Sequence, residues 1–244
     1  GSIDAFIEVD DVSYLGSDDF NSLRNGNAAY PVVADPDGTA VNQVYLRATG
    51  ELATVVFGRQ RINHGNQRFV GGVGWRQNEQ TYDAATITLT QDGDWSATYS
   101  YIDRVLRVFG PDAGTPDRAL ESNSHILSVT YSPAELGSIT GFGYFLDFDD
   151  APGASNRTVG FSYQKAISAD GFTVPVELAW ATQNEYGDNP ASYNADYRLM
   201  QVGIKADSFG VSVGSEVLKG STAAGFSTPL ATLHKFQGWA DKFL

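Results

Sequence analysis

The sequence predicts an all-β fold, an antiparallel transmembrane β-barrel of the outer-membrane type, and three observations carry that prediction. Segments of roughly ten residues alternate apolar with small polar side chains. Very short polar turns alternate with much longer polar loops, so that every second connection is short. No apolar run approaches the roughly 18 residues a membrane helix needs, so a membrane-spanning form of this chain has to close as a barrel.

The alternation template fits about eleven strands, near 3–12, 42–49, 52–61, 82–90, 95–105, 124–132, 138–148, 157–166, 172–183, 196–205 and 209–218. The segment 42–49 sets Val44 and Leu46 against Gln43, Tyr45 and Arg47, and 52–61 carries Val55 and Phe57 at the same spacing. The clearest unit is a hairpin. Ala85, Ile87 and Leu89 alternate with Thr86, Thr88 and Thr90, the turn Gln91 to Asp94 follows, and Trp95, Ala97, Tyr99 and Tyr101 then alternate with Ser96, Thr98 and Ser100. The apolar rows expected to face lipid continue through Leu127 and Val129, Phe142 and Tyr144, Phe161, Val176 and Leu178, and Val211 and Val213. A soluble sandwich also has one apolar face. Loop length separates the two: short turns at 49–51, 91–94, 132–137, 168–171 and 206–208 alternate with long connections near 15–41, 62–81, 106–121, 148–157 and 184–193. A sandwich has no reason to keep that two-beat order.

Single-chain bacterial barrels close with an even number of strands, so a count near eleven implies a partial chain or one misplaced strand. The stretch from Gly220 to Lys242-Phe243-Leu244 lacks period-two alternation, and we expect further strands beyond it. No signal peptide opens the chain, although an outer-membrane protein needs one; Gly1-Ser2 reads as a cloning scar or as the start of an internal segment. Residues 1–244 read as a single barrel domain, with no linker or low-complexity tract.

Composition narrows the function classes. The chain has no Cys and a formal net charge of −13, which removes thiol chemistry and disulfides and disfavours a nucleic-acid partner, which would want a basic face. Outer-membrane lipid and lipopolysaccharide are the expected surroundings, with a small polar or anionic solute as partner and no cofactor. Trp95, Phe172 and Phe209 each begin a strand after a short turn, where an interfacial aromatic belt belongs; the alternative is the general preference of aromatics for strands.

The parity opposite the apolar rows gives the expected lumen. It carries Gln43, Tyr45 and Arg47; Ser96, Thr98, Ser100 and Arg104; Thr173, Glu177, Ala179 and Gln183; and Ser212, Gly214 and Glu216. Small, hydroxylic and charged side chains suit a water-filled bore, although Arg47 could pair with Glu177 or Glu216 inside a plugged barrel. The densest polar stretch runs from Gly58 to Asp83 and holds Arg59, Arg61, Arg68 and Arg76. Forked guanidinium donors there could bind carboxylates or sugar hydroxyls if the loop folds into the bore. Equally, the loop could be an external one, stiffened by arginine–carboxylate pairs.

Catalysis finds little support. His64, His125 and His234 sit in no metal or triad spacing, and strand parity puts Ser124 and Ser128 on the face opposite His125. We assign no catalytic and no metal site. Asp35-Pro36-Asp37-Gly38 and Asp147-Phe148-Asp149-Asp150 offer hard oxygen ligands for calcium, but neither completes a calcium loop, and turn-forming residues explain them as well.

Several strings are similar to the alginate-export-like outer-membrane porins. They are Gly58-Arg59-Gln60-Arg61, Gln67-Arg68-Phe69-Val70-Gly71, Trp75-Arg76-Gln77, Gln80-Thr81-Tyr82-Asp83, Thr228-Pro229-Leu230-Ala231-Thr232-Leu233-His234-Lys235-Phe236 and Gly238-Trp239-Ala240-Asp241-Lys242-Phe243. The resemblance implies a barrel of roughly sixteen to eighteen strands in the outer membrane of a Gram-negative bacterium, and transport of an anionic solute past Arg47, Arg59, Arg61, Arg68 and Arg76. Glu177, Glu216 and the overall acidity argue against strong anion selectivity. The reading is a diffusion channel for small polar, anionic or saccharide solutes. Its alternatives are a non-conducting structural or receptor barrel, an exporter of an anionic polysaccharide, and a soluble lipocalin-like binder.

Overall fold

The computed structural model describes residues 1–90 and 93–236; Gln91 and Asp92 of one predicted turn, and the string Gly238 to Phe243, lie outside the described residues. Among the described residues eleven strands form in chain order: β1 (Ser2–Val12), β2 (Gly38–Thr49), β3 (Ala53–Gln60), β4 (Thr81–Thr90), β5 (Trp95–Leu106), β6 (Ala119–Tyr131), β7 (Ser138–Leu146), β8 (Asn156–Ala169), β9 (Phe172–Glu185), β10 (Asn194–Lys205) and β11 (Gly210–Leu218). All belong to one sheet in which each strand lies beside its sequence neighbour, the meander that hairpin turns produce. Short 3-10 turns occur at Pro152–Ala154 and Leu233–Lys235.

Two compact units divide the chain: one is Gly1–Thr86, Tyr101–Asn123 and the segment from Thr228; the other is Ile87–Ser100 and Ser124–Ser227. In the first unit, the β1–β2 register pairs Ile7 with Val44, Ala5 with Leu46 and Ile3 with Ala48 on one row, and Glu8 with Gln43, Phe6 with Tyr45 and Asp4 with Arg47 on the other. The first row stays exposed, including Ile7 at 67% and Leu46 at 57%, and β3 extends it through Val55 and Phe57. An exposed apolar row is costly in water and free of cost against lipid.

β2 begins earlier than the template placed it. The register passes from Glu8–Gln43 to Val9–Val41, leaving Asn42 as an extra residue. Such a bulge shifts the apolar parity from Val44 to Val41 and hides the upper half of the strand from a period-two search.

In the second unit the exposed apolar row runs through Leu127 and Val129 on β6, Phe161 on β8, and Leu178 and Trp180 on β9. Phe142 and Tyr144, expected on that row, are instead buried at 8% and 5%. The register sets Leu127 opposite Gly143 and Val129 opposite Gly141, so the middle of the lipid-side row of β7, between Ile139 and Phe145, is glycine and both rings turn to the other side. They stack at 5.0 Å. Phe142 covers Gly160, where a Cβ would stand 2.7 Å from the ring and 2.4 Å from the Trp180 carbonyl; only glycine admits that approach.

Candidate functional site

In the first unit the connection from β3 to β4, residues 61–80, packs over the polar row of β1 and β2. Its backbone is tied down at Arg61, whose N–H donates to Gln43 Oε1 at 3.1 Å. The Arg61 guanidinium reaches Glu8 at 2.7 Å and also binds Glu79. Asn42, the bulge residue, donates to Glu8 at 2.6 Å and to Glu79 at 3.4 Å, and Gln43 donates to Glu8 at 3.1 Å. One cation therefore sits among two carboxylates and two amides, a fully engaged network in a half-buried place.

A second segment, Thr228 to Phe236, clasps this loop. Val70 and Leu230 form a parallel bridge, and the Gly71 N–H donates to the Leu230 carbonyl at 2.9 Å. The Thr232 hydroxyl donates to Gln67 Oε1 at 2.8 Å and accepts from the Val73 N–H at 3.3 Å. Gly71 fits because a Cβ there would meet Thr232 Oγ1 at 2.6 Å. Gln80 and Tyr82 close the base: Gln80 Nε2 donates to the Tyr82 oxygen at 2.7 Å, and the Tyr82 hydroxyl donates to the Gly71 carbonyl at 2.8 Å. Gln67 and Val73 hold positive φ of 69° and 52°, conformations that non-glycine residues keep only when surrounding contacts over-determine them. Trp75 stacks on His234 at 4.1 Å, with Arg76 over its ring at 4.3 Å. His64, buried within the loop, has its pKa pushed down to about 4 by desolvation.

The predicted arginines separate by row. Arg47 stays on the polar row with Tyr45, which stacks on Phe6 at 5.2 Å; its carboxylate partner is Asp4 at 3.3 Å. Glu177 and Glu216 have partners of their own in the second unit, Gln164 Nε2 at 3.0 Å and the Tyr197 hydroxyl at 2.8 Å. Arg68 is buried, bonds the Thr228 hydroxyl at 3.3 Å and lies 5.0 Å from the Phe236 ring. Arg76 pairs with Asp35 at 3.4 Å.

Arg59, expected on the anion path, and Arg104, expected at lumen parity, both depart from the polar row. The register sets Arg59 opposite Val44, on the apolar row, and its guanidinium forks onto Asp83 at 2.8 and 3.0 Å. Its strand neighbour Gln60 is buried on the other side, donating to the Ala84 carbonyl. On β5, Ile102 and Val105 are both fully buried with Asp103 and Arg104 between them. That two-residue gap breaks alternation and brings Arg104 to Glu121 at 2.8 Å. Sequence reasoning missed the carboxylate partners Asp4, Glu8, Glu79, Asp83 and Glu121. Each is an ordinary strand or loop acid whose pairing depends on register, which single-sequence periodicity does not supply.

In the second unit the polar row gathers on Gln183, which is fully buried. Its Nε2 donates to Asn156 Oδ1 at 3.1 Å, Thr158 Oγ1 at 2.9 Å and the Ser227 carbonyl at 2.7 Å, while its Oε1 accepts from the Tyr193 hydroxyl at 3.2 Å. The chain after β11 is thus laid across the polar row. Of the predicted belt residues, Trp95 is 53% exposed and stacks on Tyr131 at 4.4 Å, and Phe172 and Phe209 are also exposed, at the start of β9 and just before β11.

Comparison with known proteins gives a consistent picture. The family model described as Alginate export matches residues 1–185. No curated protein matches the chain. Among solved structures, Acinetobacter baumannii OccAB4 superposes with a TM-score of 0.62 at 10% identity, over 77% of this chain and 47% of its own. Pseudomonas aeruginosa OccK2 (OpdF), solved in complex with glucuronate, gives 0.60 at 8% identity, over 75% and 49%. A BenF-like porin from Pseudomonas fluorescens Pf-5 gives 0.58 at 16% identity, over 78% and 50%. The likeness is one of fold, and the chain spans about half the length of each of these proteins.

Proposed function

This chain belongs to the alginate export family, its fold is that of outer-membrane β-barrel porins, and from that premise we propose that it forms part of a passive channel for small polar solutes. Both the family and the fold are those of the bacterial outer membrane. The observation that carries the reading is the placement of the 61–80 loop over the polar row, through Arg61, Glu8 and Gln43, while the apolar row of the same strands stays open. In a closed barrel the apolar row meets lipid, and the polar row with its folded-in loop narrows a watery path.

The solute class we propose is a small carboxylate or a saccharide acid. Arg47 and Arg61 on the polar side supply forked donors of the kind a carboxylate takes bidentately, and OccK2, of like fold, was solved with glucuronate. Their present carboxylate partners, Asp4, Glu8 and Glu79, make the path a ladder of exchangeable pairs, so selectivity for anions is modest. Arg68 acts as a structural anchor and Arg76 as a loop brace. A channel of this kind moves solute without catalysis. Trp95, Phe172 and Phe209 mark the interfacial belt in the same reading.

Single-channel recording of the parent protein in a planar bilayer tests the proposal. Discrete open-channel steps with a reversal potential displaced toward anions support it. Correctly folded protein that passes no current favours a plugged or receptor barrel, as the arginine–carboxylate pairing of the loop would then be purely structural.

A further inference from the structure

We infer that a cleft of about 410 Å³ in the first unit, at the upper end of the exposed apolar row, is a binding site for the phosphoryl group of an outer-leaflet glycolipid. The cleft forms where β3 stops at Gln60 while β2 continues up to Gly38. Arg59, Arg104, Arg107 and Arg118 line it, with Asp10, Glu79 and Glu121 among the remaining walls.

Charge bookkeeping decides which of these groups are available. Arg59 is committed to Asp83, Arg104 to Glu121, and Glu79 to Arg61. Arg107 and Arg118 have no carboxylate within ion-pair distance among the described residues. Arg107 donates to the Asp117 carbonyl at 3.4 Å and lies 4.5 Å from the Phe109 ring. Arg118 donates to the Pro111 carbonyl at 2.6 Å, and its own carbonyl accepts the Arg107 N–H at 2.8 Å. Burial pulls the Arg107 pKa below the usual arginine range, with nearby Asp117 offsetting part of that. A desolvated cation whose donors meet only carbonyls gains from an anion brought within reach.

Position selects the source of that anion. Val41, the last member of the apolar row on β2, lines the cleft, and its carbonyl accepts from Arg59 Nη1 at 3.1 Å. Below it Val44, Leu46, Val55 and Phe57 are all exposed. A molecule with acyl chains against that row places its headgroup at the cleft. The phosphoryl oxygens then meet Arg107 and Arg118, and Asp10, which has no ion pair among the described residues, accepts sugar hydroxyls. This inference rests on the outer-membrane placement and is independent of conduction.

The test is binding of lipid A to the detergent-purified protein, with dephosphorylated lipid A and inorganic phosphate in parallel. Phosphorylated lipid A is expected to bind more tightly than the dephosphorylated form, with R107A and R118A each weakening it about tenfold, a charge-assisted contact's worth. Arg118 is exposed, so R118A keeps the result interpretable if R107A disturbs its loop. Equal binding of both lipids, or no change in R118A, overturns the site. Inorganic phosphate competing as well as lipid A overturns the lipid source. Single-channel steps of R118A should match those of the parent protein, which separates failure of this site from failure of the channel reading.

Discussion

The Thr232 hydroxyl donates a hydrogen bond to Gln67 Oε1 at 2.8 Å across 165 residues of sequence, and the same oxygen accepts one from the Val73 N–H at 3.3 Å. A single side chain thus fastens the late segment to two residues of the 61–80 loop that hold positive φ. Replacing it with valine keeps the shape and leaves two polar groups without that partner, at a cost of roughly 1–3 kcal/mol. Hydrogen exchange should quicken by about tenfold or more in the loop amides of T232V while the strand amides keep their protection. Equal exchange in loop and strands would mean that the clasp holds nothing.

The Arg59–Asp83 fork gives a second prediction. Both side chains are mostly buried, at 22% and 27% exposure, so removal of one partner leaves the other poorly compensated. R59A and D83N should each lower stability by about 1–3 kcal/mol in urea titrations in detergent. The double variant should lose less than the sum, because the two act as one unit. Strict additivity would contradict the pairing.

His64 makes the loop pH-sensitive. Its folded pKa of about 4 lies below the unfolded value of 6.5, so the unfolded loop binds the proton more tightly. The stability it protects is fully present above pH 6.5 and is lost as pH falls toward 4, by roughly 3 kcal/mol over the whole window. Protection factors of the loop amides, which correct for the slower intrinsic exchange in acid, should therefore fall between pH 6.5 and 4 in the parent protein. In H64Q that added slope should vanish, and a slope unchanged by the substitution would assign it to other groups.

Gly160 tests the buried side of β7 and β8. Alanine would drive its Cβ to 2.7 Å from Phe142 and 2.4 Å from the Trp180 carbonyl. G160A should be destabilised by about 1–3 kcal/mol, as overpacking commonly is, and F142L should recover part of that loss. Recovery by an exposed-row change such as V159A would contradict the assignment of faces.

Much of the fold was legible because a half-exposed antiparallel strand writes its period directly into the sequence. All eleven predicted strands form, and the alternation of Val44 and Leu46 with Gln43, Tyr45 and Arg47 appears as two opposite rows. The departures have local causes. Asn42 inserts a residue and reverses parity, so the upper end of β2 was hidden. On β7 the lipid-side row holds Gly141 and Gly143, which carry no hydrophobic signal, while the aromatic Phe142 and Tyr144 on the other row mimic one. Of the site, the arginines of the loop were visible and their partners were not. Glu8 and Asp35 lie far from Arg61 and Arg76 in sequence, and only the folded course of the loops brings them together. The clasp from Thr228 to Phe236 has no periodicity; only its resemblance to family strings marked it.

A polar row that lines a conducting path with its folded loop, and an Arg59 row that does not, differ in what each contributes to ion selectivity. The most direct measurement is the anion-to-cation permeability ratio, from reversal potentials in a salt gradient, for the parent protein, R61A and R59A. The ratio should fall in R61A and stay at the parent value in R59A. An unchanged ratio in R61A together with a fall in R59A would contradict the assignment of rows, and the absence of any current from folded parent protein would contradict the channel itself.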